Sequence, residues 1–299
     1  MFYTKQCTFF LANGWTNSLK RAYFCNMKER IGILGCGWLG LGLAQSYVAD
    51  DFVVHGSRQS KKDADSLQEQ GVEGFAVKIS ENHVSGNLSE FLHGVSRLFL
   101  TFPPGIRKNP KRNFVAVIQQ LLSHIHKSKV KEVVFTSSTG VYGPQQGLVT
   151  PNTVPQPQTE SGKRLFEVES ILRSQDGFST QIVRLGGLLG GDRHPVKQLA
   201  KLPVVDNPQA PINLIHKADA IGLLRHLADQ APWQSIYNGV APWHPTKQDF
   251  YEQAAKEMQL PLPKFAEEPG NTNKIVTDLQ VESLGYVFIK PKLGLNQAP

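Results

Sequence analysis

Apolar residues recur along the chain in two patterns: short aliphatic runs, and longer segments with helical spacing. The run at 30–34 is followed by leucine, alanine and valine side chains that recur with helix-like spacing as far as Val48. A short aliphatic run bounded by turn residues predicts a strand, and an apolar stripe with a period near 3.6 predicts a helix. Residues 30–48 therefore predict a strand, a tight turn and a helix in that order.

The same alternation continues through the first half of the chain. We predict further strands at 52–55, 74–79, 97–102 and 132–137, and helices at 64–70 and 114–126. This order implies an α/β protein of Rossmann type, with a doubly wound parallel sheet and helices on both of its faces. Ligands of such folds bind at the carboxyl ends of the strands, where the strand order reverses. The strand ends expected to converge there are those near Gly35, Arg58, Phe102 and Ser138.

Composition places the chain among globular proteins. Of its 299 residues, 40% are hydrophobic and 19% are charged. The most apolar window, 31–48, is dense in glycine and interrupted by polar residues, so no membrane span is predicted.

The cysteines, Cys7, Cys25 and Cys36, are odd in number and lack metal-ligand spacing, which argues against a disulfide framework and a metal site. We expect a cytoplasmic protein.

The basic charge of the chain is concentrated near its start. The formal net charge is +7, and residues 1–30 carry five bases and one acid, or +4, which leaves +3 for the rest. A nucleic-acid-binding domain clusters its cations on one face. The only local basic run here contains Arg107, Lys108, Lys111 and Arg112. We therefore expect a small-molecule substrate and no nucleic-acid partner.

Residues 1–26 carry no acidic residue and no sustained helical or strand period. Their apolar run at 7–12 is too short for the core of a secretory signal followed by a cleavage site. The first strand follows Met27 at once. We expect Met27 to be the biological start and 1–26 to be a disordered leader, because chain termini often lack structure.

A glycine-rich turn lies between the first predicted strand and its helix. The pattern G-x-G-x-x-G is formed by Gly35, Cys36, Gly37, Trp38, Leu39 and Gly40. The first glycine permits a tight turn, the second lets the backbone approach a pyrophosphate, and the third lets the helix pack closely on the strand. Backbone N–H groups at the helix start, those of Trp38 and Leu39 included, then hold the phosphates. The alternative is a purely structural turn.

The end of the second predicted strand selects between dinucleotides. An NAD site usually places Asp or Glu there to bind the ribose 2′-hydroxyl, but this chain has Ser57 and Arg58. A guanidinium suits a 2′-phosphate, to which it makes charge-assisted hydrogen bonds. We therefore predict NADP as the preferred cofactor, with NAD as the other candidate. The alternative is an exposed loop arginine.

Six stretches in order carry a family likeness: GCGWLG at 35–40, FTSSTGVYG at 135–143, IVRLGGLLG at 182–190, INLIHKADA at 212–220, IYNGV at 236–240 and LGYVF at 284–288. With them the chain resembles the extended short-chain dehydrogenases/reductases, the NAD-dependent epimerase/dehydratase family, over about 28–293. The resemblance implies an NAD(P)-binding domain at 28–185 and a smaller substrate-binding region at 186–299. It implies an NAD(P)-dependent oxidoreductase or epimerase/dehydratase acting on a small polar substrate such as a nucleotide sugar.

The resemblance also implies roles for individual residues. Ser138 matches the family serine that polarises the substrate oxygen. The cofactor cleft is expected to be lined by Phe102, Pro103 and Ser137.

Three further residues are implied to face the substrate, namely Tyr142, Arg184 and His216. Asp219 is expected to cap a helix at 220–228.

The family pairs a catalytic tyrosine with a lysine four residues later, and here the chain departs from that pattern. Counting back four from Lys163 gives Thr159, and from Arg164 gives Glu160. The chain therefore resembles atypical members that have lost the tyrosine. Glu160 becomes a candidate acid or base if burial raises its pKa, and Lys163 a candidate contact to the ribose. Both residues also fit an ordinary solvated helix start.

This departure leaves two other functions open. One is an NAD(P)-binding sensor or regulatory protein that has lost catalysis. The other is a dimeric scaffold, a homodimer joined by the apolar faces of the predicted helices at 114–126 and 165–172.

Overall fold

An eight-stranded sheet forms the centre of the protein, for which a computed structural model describes residues 29–105 and 109–293. Its strands are β1 (Arg30–Leu34), β2 (Val53–Arg58), β3 (Glu73–Ile79), β4 (Val84–Gly86), β5 (Val95–Leu100), β6 (Glu132–Ser138), β8 (Ser179–Leu185) and β11 (Ile236–Gly239). Two small parallel sheets pair β7 (Leu148–Val149) with β12 (Ile275–Val276), and β9 (Gly187–Leu189) with β10 (Leu214–His216). The expected leader, the start at Met27 and two members of the basic run, Arg107 and Lys108, lie outside the described residues.

Helices connect these strands. They are α1 (Trp38–Val48), α2 (Lys61–Asp65), α3 (Leu88–Phe91), α4 (Phe114–Ile125), α5 (Glu160–Arg173), α6 (Val196–Leu199), α7 (Lys217–Gln230), α8 (Lys247–Glu257) and α9 (Leu279–Ser283), with 3₁₀ turns at Gln68–Gln70 and Thr139–Val141.

The strand order confirms the predicted α/β class. Across the sheet it is β4-β3-β2-β1-β5-β6-β8-β11, and every pair except β3 with β4 is parallel. The chain runs outward from β1 to β4, then returns to the other side of β1 as β5. The order therefore reverses between β1 and β5, which is where ligands of open α/β sheets bind.

Several elements differ from their predicted bounds, among them β2 and the helix predicted at 64–70. Strand β2 continues three residues beyond its predicted end, because Gly56 and Ser57 pair with Gly74 and Phe75 of the neighbouring strand. The predicted helix at 64–70 is a short α2 followed by a 3₁₀ turn. This segment starts earlier because the Ser60 side chain caps it by accepting the N–H of Asp63.

Both faces of the sheet are covered by apolar side chains of the helices. Helix α4 buries seven side chains against one face, and α5 buries Leu165, Val168 and Leu172 beside it. Helices α1 and α7 cover the other face. The apolar faces at 114–126 and 165–172 are thus used inside the protein, which removes the observation behind the scaffold hypothesis.

The second half of the chain is continuous with this sheet. Strand β11 pairs with β8 in parallel, from Ile236 opposite Ile182 to Gly239 opposite Leu185. A separate apolar cluster lies beyond it, where β9 and β10 pack against α6 and α8. Strand β11, which lies beyond the predicted boundary at 185, is therefore an edge strand of the central sheet.

The start of α7 corrects one expectation. The helix begins at Lys217 and its N-cap is His216, whose Nδ1 accepts the N–H of Ala218. Asp219 lies inside the first turn, fully buried. Its carboxylate accepts the N–H groups of Ile289 and Lys290 at 2.6 and 3.0 Å. Asp219 therefore anchors the C-terminal segment and does not cap the helix.

None of the helices within 29–105 and 109–293 combines the length and the apolar composition needed to cross a membrane. The same residues contain no cluster of three or more His, Cys, Asp or Glu side chains able to hold a metal ion.

Candidate active site

The glycine-rich turn lies at the carboxyl end of β1 and is fixed from both neighbouring strands. Gly35 has a φ of +107°, a conformation that favours glycine. Its N–H donates to Ser57 Oγ at 2.9 Å, and its carbonyl oxygen accepts the Thr101 hydroxyl at 2.9 Å. The turn is therefore held in place by the ends of β2 and β5, as a preorganised site requires.

The other two glycines of the turn have different surroundings. A Cβ atom on Gly40 would lie 2.3 Å from the Gly35 carbonyl oxygen and 2.7 Å from Thr101 Oγ1. A Cβ atom on Gly37 would have no neighbour closer than 3.9 Å. Gly40 is thus required for the packing of α1 on β1. The space next to Gly37 is open, and the fold itself does not require a glycine there.

The start of α1 presents backbone donors to this open space. The first hydrogen bond of the helix runs from the Leu41 N–H to the Gly37 carbonyl oxygen, so the N–H groups of Trp38, Leu39 and Gly40 precede it. Such groups, together with the helix dipole, bind anions. The Leu39 side chain is buried in the core, and this residue therefore offers the site its backbone alone.

Trp38 connects the turn to the second half of the chain. Its ring lies 5.1 Å from the guanidinium of Arg193 and 4.9 Å from the ammonium of Lys217. Its Nε1 donates to Asp192 Oδ1 at 3.3 Å. Two cations are thereby held close to the start of α1 by cation–π contacts.

Cys36 points away from the turn into the core. Its thiol is fully buried, and its Sγ lies 3.6 Å from the carbonyl oxygen of Ile33. Burial raises the pKa of the Cys36 thiol to about 12. Cys36 is therefore part of the packing beneath the turn and not a nucleophile.

The end of β2 presents one polar group without a partner. Ser57 is buried, and its Oγ is already bound by the Gly35 N–H, so this residue shapes the turn. Arg58 is partly buried, and its Nε is buried without a hydrogen-bond partner among the described residues. A buried donor without an acceptor is costly, and an anionic oxygen at the strand end would satisfy it.

Ser138 ends β6 and begins a 3₁₀ turn. Its Oγ accepts the N–H of Gly140 at 3.1 Å. No group among the described residues accepts the Ser138 hydroxyl proton, which is therefore available for donation to another oxygen. At the end of β5, Phe102 packs edge-on against Phe114 with centroids 5.7 Å apart, and Pro103 beside it is exposed.

Three residues expected to face ligands are instead buried in one hydrogen-bond network. The Ser137 hydroxyl donates to Glu169 Oε1 at 2.5 Å. Arg184, 1% exposed, donates to both carboxylate oxygens of Glu169 and to the Tyr142 hydroxyl at 2.7 Å. The Tyr142 hydroxyl also lies 3.0 Å from Asn238 Oδ1. The structure places Ser137, Tyr142 and Arg184 in the core, where their polar groups satisfy one another, and not at the surface of an open cleft.

Glu160 and Lys163 lie at the exposed start of α5. The Lys163 Nζ donates to Glu160 Oε1 at 2.8 Å, with both side chains more than half exposed. This ammonium lowers the pKa of Glu160. The burial that would raise that pKa is absent, so Glu160 does not meet the condition set for an acid or base.

His216 keeps one ring nitrogen available. Its Nδ1 accepts the Ala218 N–H at 3.2 Å, which places the proton of a neutral ring on Nε2. Loss of solvent lowers the pKa of His216. The ring is therefore a neutral donor at pH 7, next to Gly190 at the end of β9.

Two residues near the site were not predicted from the sequence. Thr101 binds the Gly35 carbonyl, as described above. The Lys274 ammonium donates to the carbonyl oxygens of Thr139 and Tyr142, at 3.0 and 3.1 Å. No local sequence motif identifies a threonine at a strand end, or a single lysine 136 residues beyond Ser138. Either residue can be found only from the three-dimensional structure.

Comparisons with known proteins agree with this architecture. The sequence is 32% identical to protein YeeZ of Escherichia coli over 268 residues, which cover 88% of this chain and 97% of that protein. No family model matches the sequence.

Solved structures share the fold over most of the chain. A structure assigned to the NAD-dependent epimerases/dehydratases, from Methylobacillus flagellatus, is 25% identical, has a TM-score of 0.72, and is matched over 89% of this chain and 94% of its own. A mutant UDP-glucuronic acid 4-epimerase from Bacillus cereus, in complex with NAD, is 16% identical with a TM-score of 0.70, over 87% and 94%. The protein has the Rossmann-type fold of these enzymes, and the chain belongs to the family of protein YeeZ.

Proposed function

We propose that the protein is an NADP-dependent oxidoreductase of the epimerase/dehydratase type. Its cofactor site is the turn at 35–40 together with Arg58, and Ser138 binds the reacting oxygen of a small polar substrate. Relatives in fold suggest a nucleotide sugar, since one of them is a UDP-glucuronic acid 4-epimerase in complex with NAD.

The open space at Gly37 is the observation that carries this proposal. Gly35 and Gly40 are required by the fold, whereas a Cβ atom on Gly37 would have no neighbour closer than 3.9 Å. The N–H groups of Trp38 and Leu39 come before the first helical hydrogen bond. A diphosphate placed there meets backbone donors and the positive end of α1, as in other dinucleotide sites. The residues present therefore fit a dinucleotide.

The preference for NADP rests on Arg58. Its buried Nε lacks an acceptor among the residues that the structure describes, and the end of β2 carries no Asp or Glu to bind a 2′-hydroxyl. A 2′-phosphate would give the guanidinium a charge-assisted hydrogen bond. The solved neighbours named above include an NAD complex, so this preference is a property that we propose for this chain.

The chemistry divides between the cofactor and the protein. When bound, the nicotinamide supplies hydride transfer. Ser138 donates its hydroxyl proton to the substrate oxygen, since its Oγ only accepts a hydrogen bond, from the Gly140 N–H, among the described residues. This hydrogen bond orients the substrate and draws electron density from the carbon that exchanges hydride.

Direct titration tests the cofactor site. We expect NADPH to bind the full chain at least tenfold more tightly than NADH, as measured by nucleotide fluorescence. Arg58→Ala should remove that preference and leave NADH affinity unchanged. Arg173→Ala, which removes an exposed arginine at the end of α5, is the matched control. A protein that binds neither dinucleotide would overturn the proposal.

Turnover tests the catalytic half of the proposal. UDP-glucose and UDP-glucuronic acid would be incubated with the protein and NADP, and with NAD in parallel, and products separated by chromatography. Conversion is expected to fall at least a hundredfold in Ser138→Ala and to persist in Ser123→Ala, which changes an exposed serine of α4. Tight dinucleotide binding with no conversion of any nucleotide sugar would favour the sensor hypothesis instead.

A further inference from the structure

Lys274 is a partly buried lysine that holds the turn carrying Ser138. It precedes β12, and its Nζ lies 3.0 Å from the Thr139 carbonyl oxygen and 3.1 Å from that of Tyr142. Both acceptors are neutral backbone groups. Nothing in the mechanism above uses this ammonium.

The charge of Lys274 is not neutralised by a carboxylate. Within 29–105 and 109–293, no Asp or Glu forms an ion pair with it, and burial alone lowers its pKa. A solvated lysine would be held at lower cost. Because the Lys274 ammonium has no counter-charge, its positive charge acts directly on the groups of this turn.

A single peptide group connects Lys274 to the candidate catalytic hydroxyl. The carbonyl of Thr139, which accepts from Lys274, belongs to the same peptide unit as the N–H of Gly140. That N–H donates to Ser138 Oγ at 3.1 Å. A cation on the carbonyl polarises the peptide, which strengthens the hydrogen bond made by its N–H. The ammonium, the peptide and the serine thus form one continuous chain of hydrogen bonds.

We infer that Lys274 is a positioning residue that activates Ser138 through the peptide between Thr139 and Gly140. Its charge polarises the Gly140 N–H, which withdraws electron density from the Ser138 oxygen and makes its hydroxyl a stronger donor to the substrate oxygen. The second bond, to Tyr142, fixes the other end of the 3₁₀ turn. This inference rests on the proposed function in taking Ser138 as the group that binds the substrate.

Other charged groups around the turn do not supply this field. On α5, which packs against the turn, Glu160 is paired with Lys163 at the exposed helix start. Glu169 of the same helix is paired with Arg184 of β8. Each of these pairs is close to neutral overall, so Lys274 contributes the uncompensated charge.

A thiol introduced in place of the serine can report this effect without any substrate. In Ser138→Cys, the rate of alkylation by iodoacetamide would be followed against pH and resolved by peptide mass spectrometry from the native cysteines. An unperturbed thiol has a pKa of about 8.5. We expect a lower apparent pKa for the introduced thiol and, at pH 7, alkylation three- to tenfold faster than after adding Lys274→Met.

Two further double variants separate charge from turn geometry. Ser138→Cys with Lys274→Arg keeps both the charge and the donors, and should retain the fast alkylation. Ser138→Cys with Lys274→Gln keeps N–H donors without charge, and should be as slow as the methionine variant. If Lys274→Met fails to fold, the arginine and glutamine variants decide the question. Lys256→Met, at an exposed position of α8, should change nothing.

The outcomes are distinct from those of the cofactor tests. Equal alkylation profiles in the lysine, glutamine and methionine proteins would overturn the inference, as would full retention of fast alkylation by glutamine, since Lys274 would then only hold the turn. Neither result requires dinucleotide binding or turnover. Failure of the NADPH titration would instead overturn the proposed function and leave the alkylation result to be interpreted as a property of the turn.

Discussion

The carbonyl oxygen of Gly35 lies where a Cβ atom of Gly40 would stand, with a separation of 2.3 Å. Helix α1 and the end of β1 are thus in backbone contact. A Cβ atom on Gly37, between them in sequence, would have no neighbour closer than 3.9 Å. One motif therefore contains a glycine that packing requires and a second glycine to which we assign a role in ligand binding. Substitutions at the two positions should have different effects.

Gly40→Ala should destabilise the protein. The added methyl group must displace backbone at Gly35 or the Thr101 hydroxyl, and overpacking of this kind costs about 1–3 kcal/mol. Urea unfolding followed by circular dichroism would measure the loss in free energy of unfolding. An unchanged midpoint would contradict the close contact between α1 and β1.

Gly37→Val should leave folding intact and remove nucleotide binding. Its φ of −76° is accessible to any residue, so the melting temperature should stay within about 2 °C of the parent, a shift worth about 1 kcal/mol. NADPH affinity should fall at least tenfold, because the side chain occupies the space that a diphosphate needs. Full NADPH affinity in a correctly folded variant would contradict this prediction.

Glu169→Gln should be strongly destabilising. The substitution leaves the Arg184 guanidinium buried without its counter-charge, for which we expect a loss of about 3–5 kcal/mol in the free energy of unfolding. Denaturant unfolding provides the measurement. Adding Arg184→Met should recover part of the loss, and a strictly additive double variant would show that the two groups do not act as a pair.

His216→Asn should change how stability depends on pH. Because burial lowers the pKa of His216, the unfolded chain binds a proton that the folded chain excludes, and the free energy of unfolding falls as pH drops below about 6.5. Asparagine can still accept the Ala218 N–H but does not titrate. The slope between pH 7.5 and 5.5 should therefore be shallower in the variant. His194, whose pKa is also lowered by burial, keeps part of the slope in both proteins.

Cys36 should resist alkylation in the native protein. Its thiol is fully buried with a pKa of about 12, so the thiolate that reacts is scarce at pH 8. Iodoacetamide labelling with peptide mapping, before and after denaturation, checks this. Labelling of Cys36 in the native state at the denatured rate would mean that the turn is open to solvent.

The alternation of strands and helices in the first half of the chain, the glycine turn and the amphipathic helix α4 follow from local patterns and were predicted from sequence, whereas β4 was not. Residues 30–34 form a buried aliphatic run, and α4 buries one face at a helical period, so burial and secondary structure agree at both. The end of β2 was placed too early because Gly56 and Ser57 resemble a turn. Pairing with β3 holds them in the strand, and that pairing is a tertiary contact.

The glycine turn of the candidate site could be predicted because a local backbone motif defines it. Contacts between side chains that are distant in sequence could not be predicted. Glycine spacing located the turn, but Arg184 was expected in a pocket because an arginine at a strand end gives no sign of a buried partner. Its partner, Glu169, lies 15 residues earlier on α5. Lys274 reaches the Ser138 turn from the far end of the chain, and no periodicity or spacing encodes such a contact.

The edge strand β11 limits how this fold can be divided or recombined. A fragment ending at 185 would leave β8 as an unprotected edge with its backbone donors and acceptors unpaired, and such edges promote aggregation. A chimera that exchanges the region after residue 185 with that of a relative must therefore include β11 and preserve the pairing of Ile236 with Ile182. Any redesign of this protein has to treat the two halves of the chain as one structural unit.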